Sequence, residues 1–261
     1  METYLRTWCE IDLDAILQNI SGIRQKAQDG VKVMAVIKAD GYGHGAVEIA
    51  RYIHQDVDYF GVATIEEAVE LRENQIDEPI LILGYTSPSL YALNIKYDVD
   101  QTIYSLETAG RISAEAVRQN KTARIHIALD TGMTRIGISP DEKGLEMVRK
   151  IRELPNLEIT GLFSHFSCAD MTYTEQQMER FDAFVEMLEN QQIHIPIRHI
   201  CNSAGIMEFD HHRYDMVRAG IILYGLYPSD EVDKNSLALT PAMSWKSHVV
   251  NIMEPELNRG V

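Results

Sequence analysis

Cysteine is scarce in this chain, three in 261 residues, and what there is cannot organise a fold. Cys9, Cys168 and Cys201 are far apart, odd in number and form no C-x-x-C pair, which argues against both a disulfide framework and a zinc site. No metal is expected. Each cysteine reads as a small buried hydrophobe, and a reducing cytoplasm is the simplest setting. Positive charge is short as well: 24 Lys and Arg against 39 Asp and Glu leave a formal net charge of −15. A nucleic-acid partner needs a basic surface, so that class is set aside. No apolar run approaches the length of a bilayer span, and no membrane partner is expected. The first residues, METYLRTWCEIDLDAI, lack the apolar core and small-residue cleavage site of a signal peptide. There is no internal repeat and no low-complexity tract.

What is present is ordinary for a globular protein: 45% hydrophobic and 24% charged residues. The length allows one large core, with or without a small appendage. Short β-rich runs alternate with stretches of helical period. The strands are expected at Trp8–Ile11, Val33–Ile37, Tyr59–Ala63, Pro79–Leu83, Asp98–Ile103, Ala123–Leu129, Ile159–Phe163, Ile197–Ile200 and Met216–Ile222. Between them, Leu13–Gln28, Ala46–Gln55, Ile65–Glu73, Leu106–Gln119 and Thr174–Gln191 read as amphipathic helices. Thr174 with Gln177 resembles a capping box, and Met178, Phe181, Phe184, Val185 and Leu188 recur on one face. The strands are almost continuously apolar, as parallel strands covered by helices on one side and packed on the other must be. The α/β class follows, and some eight β–α units suit a (β/α)8 TIM-type barrel better than an open sheet, with the first strand outside the barrel.

After Tyr227 the pattern changes. PSDEVDKNS is polar and turn-rich, and Ala242–Ile252 (AMSWKSHVVNI) alternates like a strand. The expected division is a barrel over residues 1–228, a linker over 229–240, and over 241–261 a short β stub of a second domain. About twenty residues cannot bury a core of their own.

Chemistry concentrates in Val33–Gly45, VMAVIKADGYGHG. A strand ends by delivering Lys38, and a glycine-rich turn follows at once. Strand C-terminal ends line the active-site mouth of a barrel, where a lysine can condense with an aldehyde cofactor. Gly41, Gly43 and Gly45 supply positive φ angles and leave Tyr42 and His44 projecting. A lone strand-end lysine is ordinarily a solvated one; the whole block is far more specific.

That block resembles the cofactor-lysine motif of alanine racemases, which reads much like AVVKANAYGHG, with Asp40 and Gly41 where Asn and Ala are common. Four further blocks resemble the same family in the same order: LDTGMTRIG, GLFSHFSCAD, HICNSAGI and DMVRAGIILYG. The resemblance implies a barrel that binds pyridoxal 5'-phosphate and racemises a small amino acid, alanine by default and serine as a substitute. It makes Lys38 the catalytic and cofactor-bearing lysine and assigns Tyr42, Leu83, Arg135, His165, Asn202, Ser203, Arg218, Gly220 and Ile221 to the cofactor site. Arg135 would also hold the substrate carboxylate, a task suited to a bidentate fork. His165 would orient the arginine under the cofactor ring. Asn202 and Ser203 after the seventh barrel strand, with Gly220 and Ile221 after the eighth, fall where barrels hold phosphate. Arg218 stays cationic and cannot take a proton from the ring nitrogen, unlike the carboxylate found there in barrel-type decarboxylases. His211 and His212 read as loop residues.

Two departures from the family stand out. Ala128 occupies the place of a lysine that many members carbamylate, and Thr134 stands where glycine is frequent. In the family, the second base is a tyrosine from the partner subunit's C-terminal β-domain. This chain stops at Val261, about where the block bearing it would begin, so the expectation is a truncated racemase with impaired turnover. Full-length members are homodimers, and a weakened or absent dimer is expected here. Tyr224 and Tyr227 stand in the wrong context for the missing base. Two other readings share the barrel: a pyridoxal-phosphate-binding protein without turnover, and a decarboxylase of basic amino acids.

Overall fold

The computed structural model describes residues 6–167, 171–209 and 214–254. Eight parallel strands form the centre: β2 (Lys32–Val36), β3 (Tyr59–Val62), β4 (Ile80–Ile82), β5 (Asp100–Ile103), β6 (Ala123–Ala128), β7 (Leu157–Phe163), β8 (Ile197–His199) and β9 (Met216–Ala219). They hydrogen-bond in the order β8-β7-β6-β5-β4-β3-β2-β9. The outer members meet through two backbone bonds, Asp215 N to Arg198 O and Arg218 N to Cys201 O, each 3.0 Å. The ring is thus a (β/α)8 barrel. Around it lie α1 (Leu13–Ala27), α2 (Ala46–Ile53), α3 (Ile65–Glu73), α4 (Tyr91–Lys96), α5 (Leu106–Arg118), α6 (Glu142–Arg152), α7 (Met171–Asn190) and α8 (Ser203–Glu208).

Local sequence starts these helices where it should. Asp12, Thr64, Ser105, Asp141 and Asn202 each accept a backbone N–H from the first turn that follows. The buried stripe of α1, Ile16, Ile20 and Ile23 with Ala27, packs onto the strands. The two faces of each strand separate cleanly. Val33 and Ala35 join the large core under the helices, whereas Met34 and Val36 join a smaller cluster with Tyr59, Leu81, Ile197 and Met216 that fills the barrel. By the same alternation Asp100, His126, His199 and Arg218 point inward.

The expected elements differ from the observed ones in a few places. The strand predicted over Met216–Ile222 ends at Ala219, and Ile221–Tyr224 winds into a 3-10 turn. The helix predicted from Thr174 begins at Met171, so Thr174 lies in its first turn instead of capping it. Gln177 serves a tertiary role, donating to the His165 carbonyl at 3.0 Å. Cys201 is buried, but Cys9 is exposed. Its strand, β1 (Thr7–Ile11), stands outside the barrel and pairs antiparallel with β10 (Met243–Ser247), leaving both faces of a two-stranded ribbon open. Cys168, His211 and His212 lie outside the described residues.

The segment between barrel and ribbon is not free. Val232 and Leu237 are buried in the core, and Asn19 exchanges bonds with Thr240 in both directions. Among the described residues no helix is long and apolar enough to cross a membrane.

Candidate active site

A cavity of about 490 Å³ opens at the C-terminal ends of the strands, within the ~300–1,000 Å³ usual for small-molecule sites. All ten residues expected at a cofactor site line it: Lys38, Tyr42, Leu83, Arg135, His165, Asn202, Ser203, Arg218, Gly220 and Ile221. Ala128, where a lysine was noted as absent, lines it too. Lys38, Arg135 and Arg218 are cationic, and no aspartate or glutamate among the described residues joins them. A chain of net charge −15 therefore encloses a positive pocket, which suits an anionic ligand.

Lys38 is delivered by β2 and followed by a left-handed turn. Ala39, Asp40, Gly41 and Tyr42 all have φ between 52° and 60°. Left-handed helical backbone costs about 1–2 kcal/mol per residue with a Cβ, and only Gly41 escapes it. Surrounding bonds hold the strain: Ala39 N donates to Glu67, Gly41 N to Ile37 O, and Ala46 N to the Asp40 carboxylate. Gly43 and Gly45 are left-handed as expected, with φ of 83° and 91°. His44 does not project. It folds back, its Nδ1 within 3.0 Å of Gly41 O and its ring 4.5 Å from that of Tyr224. Tyr42 remains 40% exposed at the cavity edge.

Arg135 rides on the loop after β6. That loop is closed at its base by Asp130 N to Ile138 O and Ile138 N to Ala128 O, both 2.9 Å. Gly137 is obligatory there: a Cβ would come within 2.4 Å of Asp130 N. Within the loop the Asp130 carboxylate accepts from Gly132 N and Thr134 N. Thr134 has φ 55°, a left-handed position that explains the frequency of glycine at this point in the motif.

Arg218 is the most constrained of the three cations and only 3% exposed. Nη1 meets His199 Nδ1 at 2.8 Å and donates to His199 O at 3.2 Å. Nη2 donates to Ser164 O at 2.7 Å and Ile200 O at 3.0 Å, and meets His165 Nδ1 at 3.1 Å. A guanidinium only donates, so both imidazoles present a bare Nδ1 and carry their proton on Nε2. His165 is pushed down to about 3 by burial, then by Arg218, Arg135 and Lys38, and is neutral. Arg218 itself is lowered to about 10, chiefly by burial, and remains charged at neutral pH. Its Nε has no acceptor among the described residues, which leaves one donor for the cavity.

Two helical N-termini also meet at the cavity. Asn202 caps α8 through Gly205 N, and Ser203 Oγ accepts from Gly220 N at 3.1 Å. Ile221 opens the 3-10 turn, whose first N–H groups have no partner inside it. Gly220 leaves the approach clear, since a Cβ there would stand 3.3 Å from Ser203 Oγ and 3.6 Å from Tyr42 Oη. His199 was not singled out from the sequence, because a lone imidazole on a predicted buried strand reads as core.

Fold and site together define a class: a barrel protein whose strand ends present a lysine, two arginines and an N–H-rich turn pair to a small anionic ligand. More specifically, the chain belongs to the family described as alanine racemase, N-terminal domain, whose model matches residues 11–228. It is 46% identical over 253 residues to the alanine racemase of Clostridium tetani, covering 95% of this chain and 65% of that protein. With alanine racemase 1 of Clostridium acetobutylicum it shares 49% identity over 249 residues, 94% of this chain and 64% of the relative. The solved alanine racemase of Clostridium difficile 630 in complex with cycloserine superposes with a TM-score of 0.94 at 41% identity, over 97% of this chain and 71% of that one. The chain thus spans about two thirds of the length of these relatives.

Proposed function

We propose that the cavity binds pyridoxal 5'-phosphate through Lys38 and that the chain acts in the interconversion of L- and D-alanine. The observation that carries this reading is the pairing of a strand-end lysine with Arg218, a fixed cation whose one unsatisfied donor is Nε. The residues present fit the group: the orphaned Nε suits an unprotonated pyridine nitrogen, and the clear approach at Gly220 suits a phosphate. When bound, the cofactor would supply an electron sink for the pair left at a substrate α-carbon.

The protein's own part follows from the geometry. Lys38 Nζ would hold the cofactor and carry a proton on one face of the substrate. Ser203, the N–H groups at Gly220–Ile221 and Tyr42 would hold the phosphate, with Asn202 keeping the α8 terminus in place. Arg135 would take the substrate carboxylate. Arg218 donates and cannot accept, so it would hold the cofactor's ring nitrogen in its unprotonated form and so make the group a milder electron sink. That suits a quick proton exchange at one carbon over longer-lived chemistry such as transamination. A barrel over residues 1–228, a linker over 229–240 and the opening of a second β-domain from 241 belong to the same proposal, supported by the placement of β10 outside the barrel.

The test is a pyridoxal phosphate titration of the protein and of Lys38→Ala, followed by visible absorbance, with D-enantiomer formation from L-alanine or L-serine measured by chiral chromatography. The expected result is a visible band lost in the variant, and D-alanine formed faster than D-serine. A band without D-product would keep the cofactor-binding part and show that these residues do not supply the base racemisation needs on the other face of the α-carbon. D-product formed equally by Lys38→Ala would overturn the racemase reading. No band would overturn both parts.

A further inference from the structure

Beneath Arg218 a polar column descends through the barrel, and the reaction just proposed does not use it. His199 Nε2 lies 2.9 Å from Nδ1 of His126, and both rings are fully buried. His126 Nε2 has no hydrogen-bond partner among the described residues, and Asp100 Oδ2 lies 3.8 Å away. Asp100 in turn accepts from Arg124 Nε at 2.8 Å and from the Tyr59 hydroxyl at 3.3 Å. The sequence makes room for this column. The β6–β7 register shifts between Ile125 and His126, and His126 then faces Gly161, where a Cβ would come within 2.2 Å of the imidazole.

Branched aliphatic side chains fill a barrel interior at lower cost. Buried imidazoles lose hydration, and a glycine and a register shift both weaken a strand pair. Stability alone does not account for His126. The donor logic does: Arg218 offers only N–H groups, so His199 must present a bare Nδ1 at 2.8 Å and carry its proton on Nε2. In the other tautomer two N–H groups would face each other. His126 Nδ1 is the acceptor that selects the productive form. Phe163 holds the plane of the same ring, stacked at 4.9 Å and 15°. Burial and the nearby arginines push His126 down to about 3 and His199 well below its ordinary value, so both are neutral.

We propose that His126 is a positioning residue for Arg218: by accepting from His199 it fixes the His199 tautomer, and through it the guanidinium pose that leaves Nε free for the cavity. The importance of that pose rests on the pyridoxal phosphate reading, but the tautomer itself does not.

The experiment is histidine and arginine side-chain 15N NMR on the cofactor-free protein, on His126→Phe, which removes the acceptor, and on His126→Asn, which keeps one. The wild type is expected to show His199 protonated on Nε2 and bare on Nδ1 from about pH 5 to 8. In His126→Phe the His199 signals should move toward mixed tautomers, with Arg218 N–H exchange about tenfold faster; His126→Asn should restore both. A His199 proton on Nδ1 in the wild type would overturn the proposal, even if neither variant folds. So would His126→Phe leaving His199 and Arg218 unchanged. Because no cofactor is added, either failure is distinct from failure of the binding reading above.

Discussion

Two of the three cations at the barrel mouth reach the same cavity by opposite means. Arg218 sits on β9, buried, with both terminal nitrogens committed to histidines and carbonyls. Arg135 itself is exposed, on a loop closed at its base, braced by Asp130 and tied at Thr131 and Gly132 to Arg180 and Tyr173. A group that must keep one geometry throughout a reaction benefits from the first arrangement. A group that must admit and release a substrate benefits from the second. Lys38 combines the two, a strand-end residue followed by a turn whose strain is held by Glu67, Ile37 and Asp40 carbonyl and carboxylate groups.

The sharpest way to separate the two arginines is to remove each. Arg218→Gln strands the acceptors at His165, His199 and Ser164 and should cost roughly 2–4 kcal/mol of stability, read as a lower denaturant midpoint. Arg135→Gln should change stability by less than about 0.5 kcal/mol while weakening substrate binding. Equal losses in the two variants would break the comparison. Gly137→Ala tests the loop's base: with φ 132° and a Cβ 2.4 Å from Asp130 N, it should lose about 1–3 kcal/mol and loosen Arg135 while leaving Arg218 in place.

Acid should act on the buried side first. His165 and His126 have folded values near 3, below their unfolded values, so the unfolded chain takes up their protons first as pH falls below about 6.5. Their stabilising contribution is present above that pH and is lost on the way down toward 3. Asp100, raised to about 6 by burial, works the other way: its contribution is present at low pH and lost as pH rises through 6. With His199 lowered as well, three imidazoles outweigh one carboxylate. The denaturation midpoint should therefore fall between pH 7 and 4.5, and fall less in His165→Gln. The smallest expected effect is on the loop: Thr134→Gly relieves a left-handed threonine and should stabilise by up to ~1 kcal/mol in thermal unfolding.

Much of this was legible in the residues. Alternation and near-continuous apolar runs marked all eight barrel strands, and the five motif blocks carry nine of the ten residues that meet in one cavity, Leu83 lying outside them. The turn after Lys38 was legible only in part. Glycines announce positive φ, but nothing local says that Ala39, Asp40 and Tyr42 adopt it too, because the bonds that hold them there come from α3 and from the turn itself. His126 and His199 were invisible for a similar reason. Their partners lie 73 residues apart along the chain and meet only once the barrel closes. Cys9 was misread because β1 looks like any half-apolar strand until its partner, β10, proves to be outside the barrel. Thr174 was misread because a capping-box pattern can occur inside a helix that has already begun.

The central claim is that Lys38 is the residue to which pyridoxal phosphate attaches. Incubating the protein with the cofactor, reducing with borohydride and mapping the modified peptide by mass spectrometry tests it directly. The account predicts a pyridoxyl group on Lys38 at near one per chain, absent in Lys38→Ala. Modification spread over surface lysines, or retained in the variant, would contradict it.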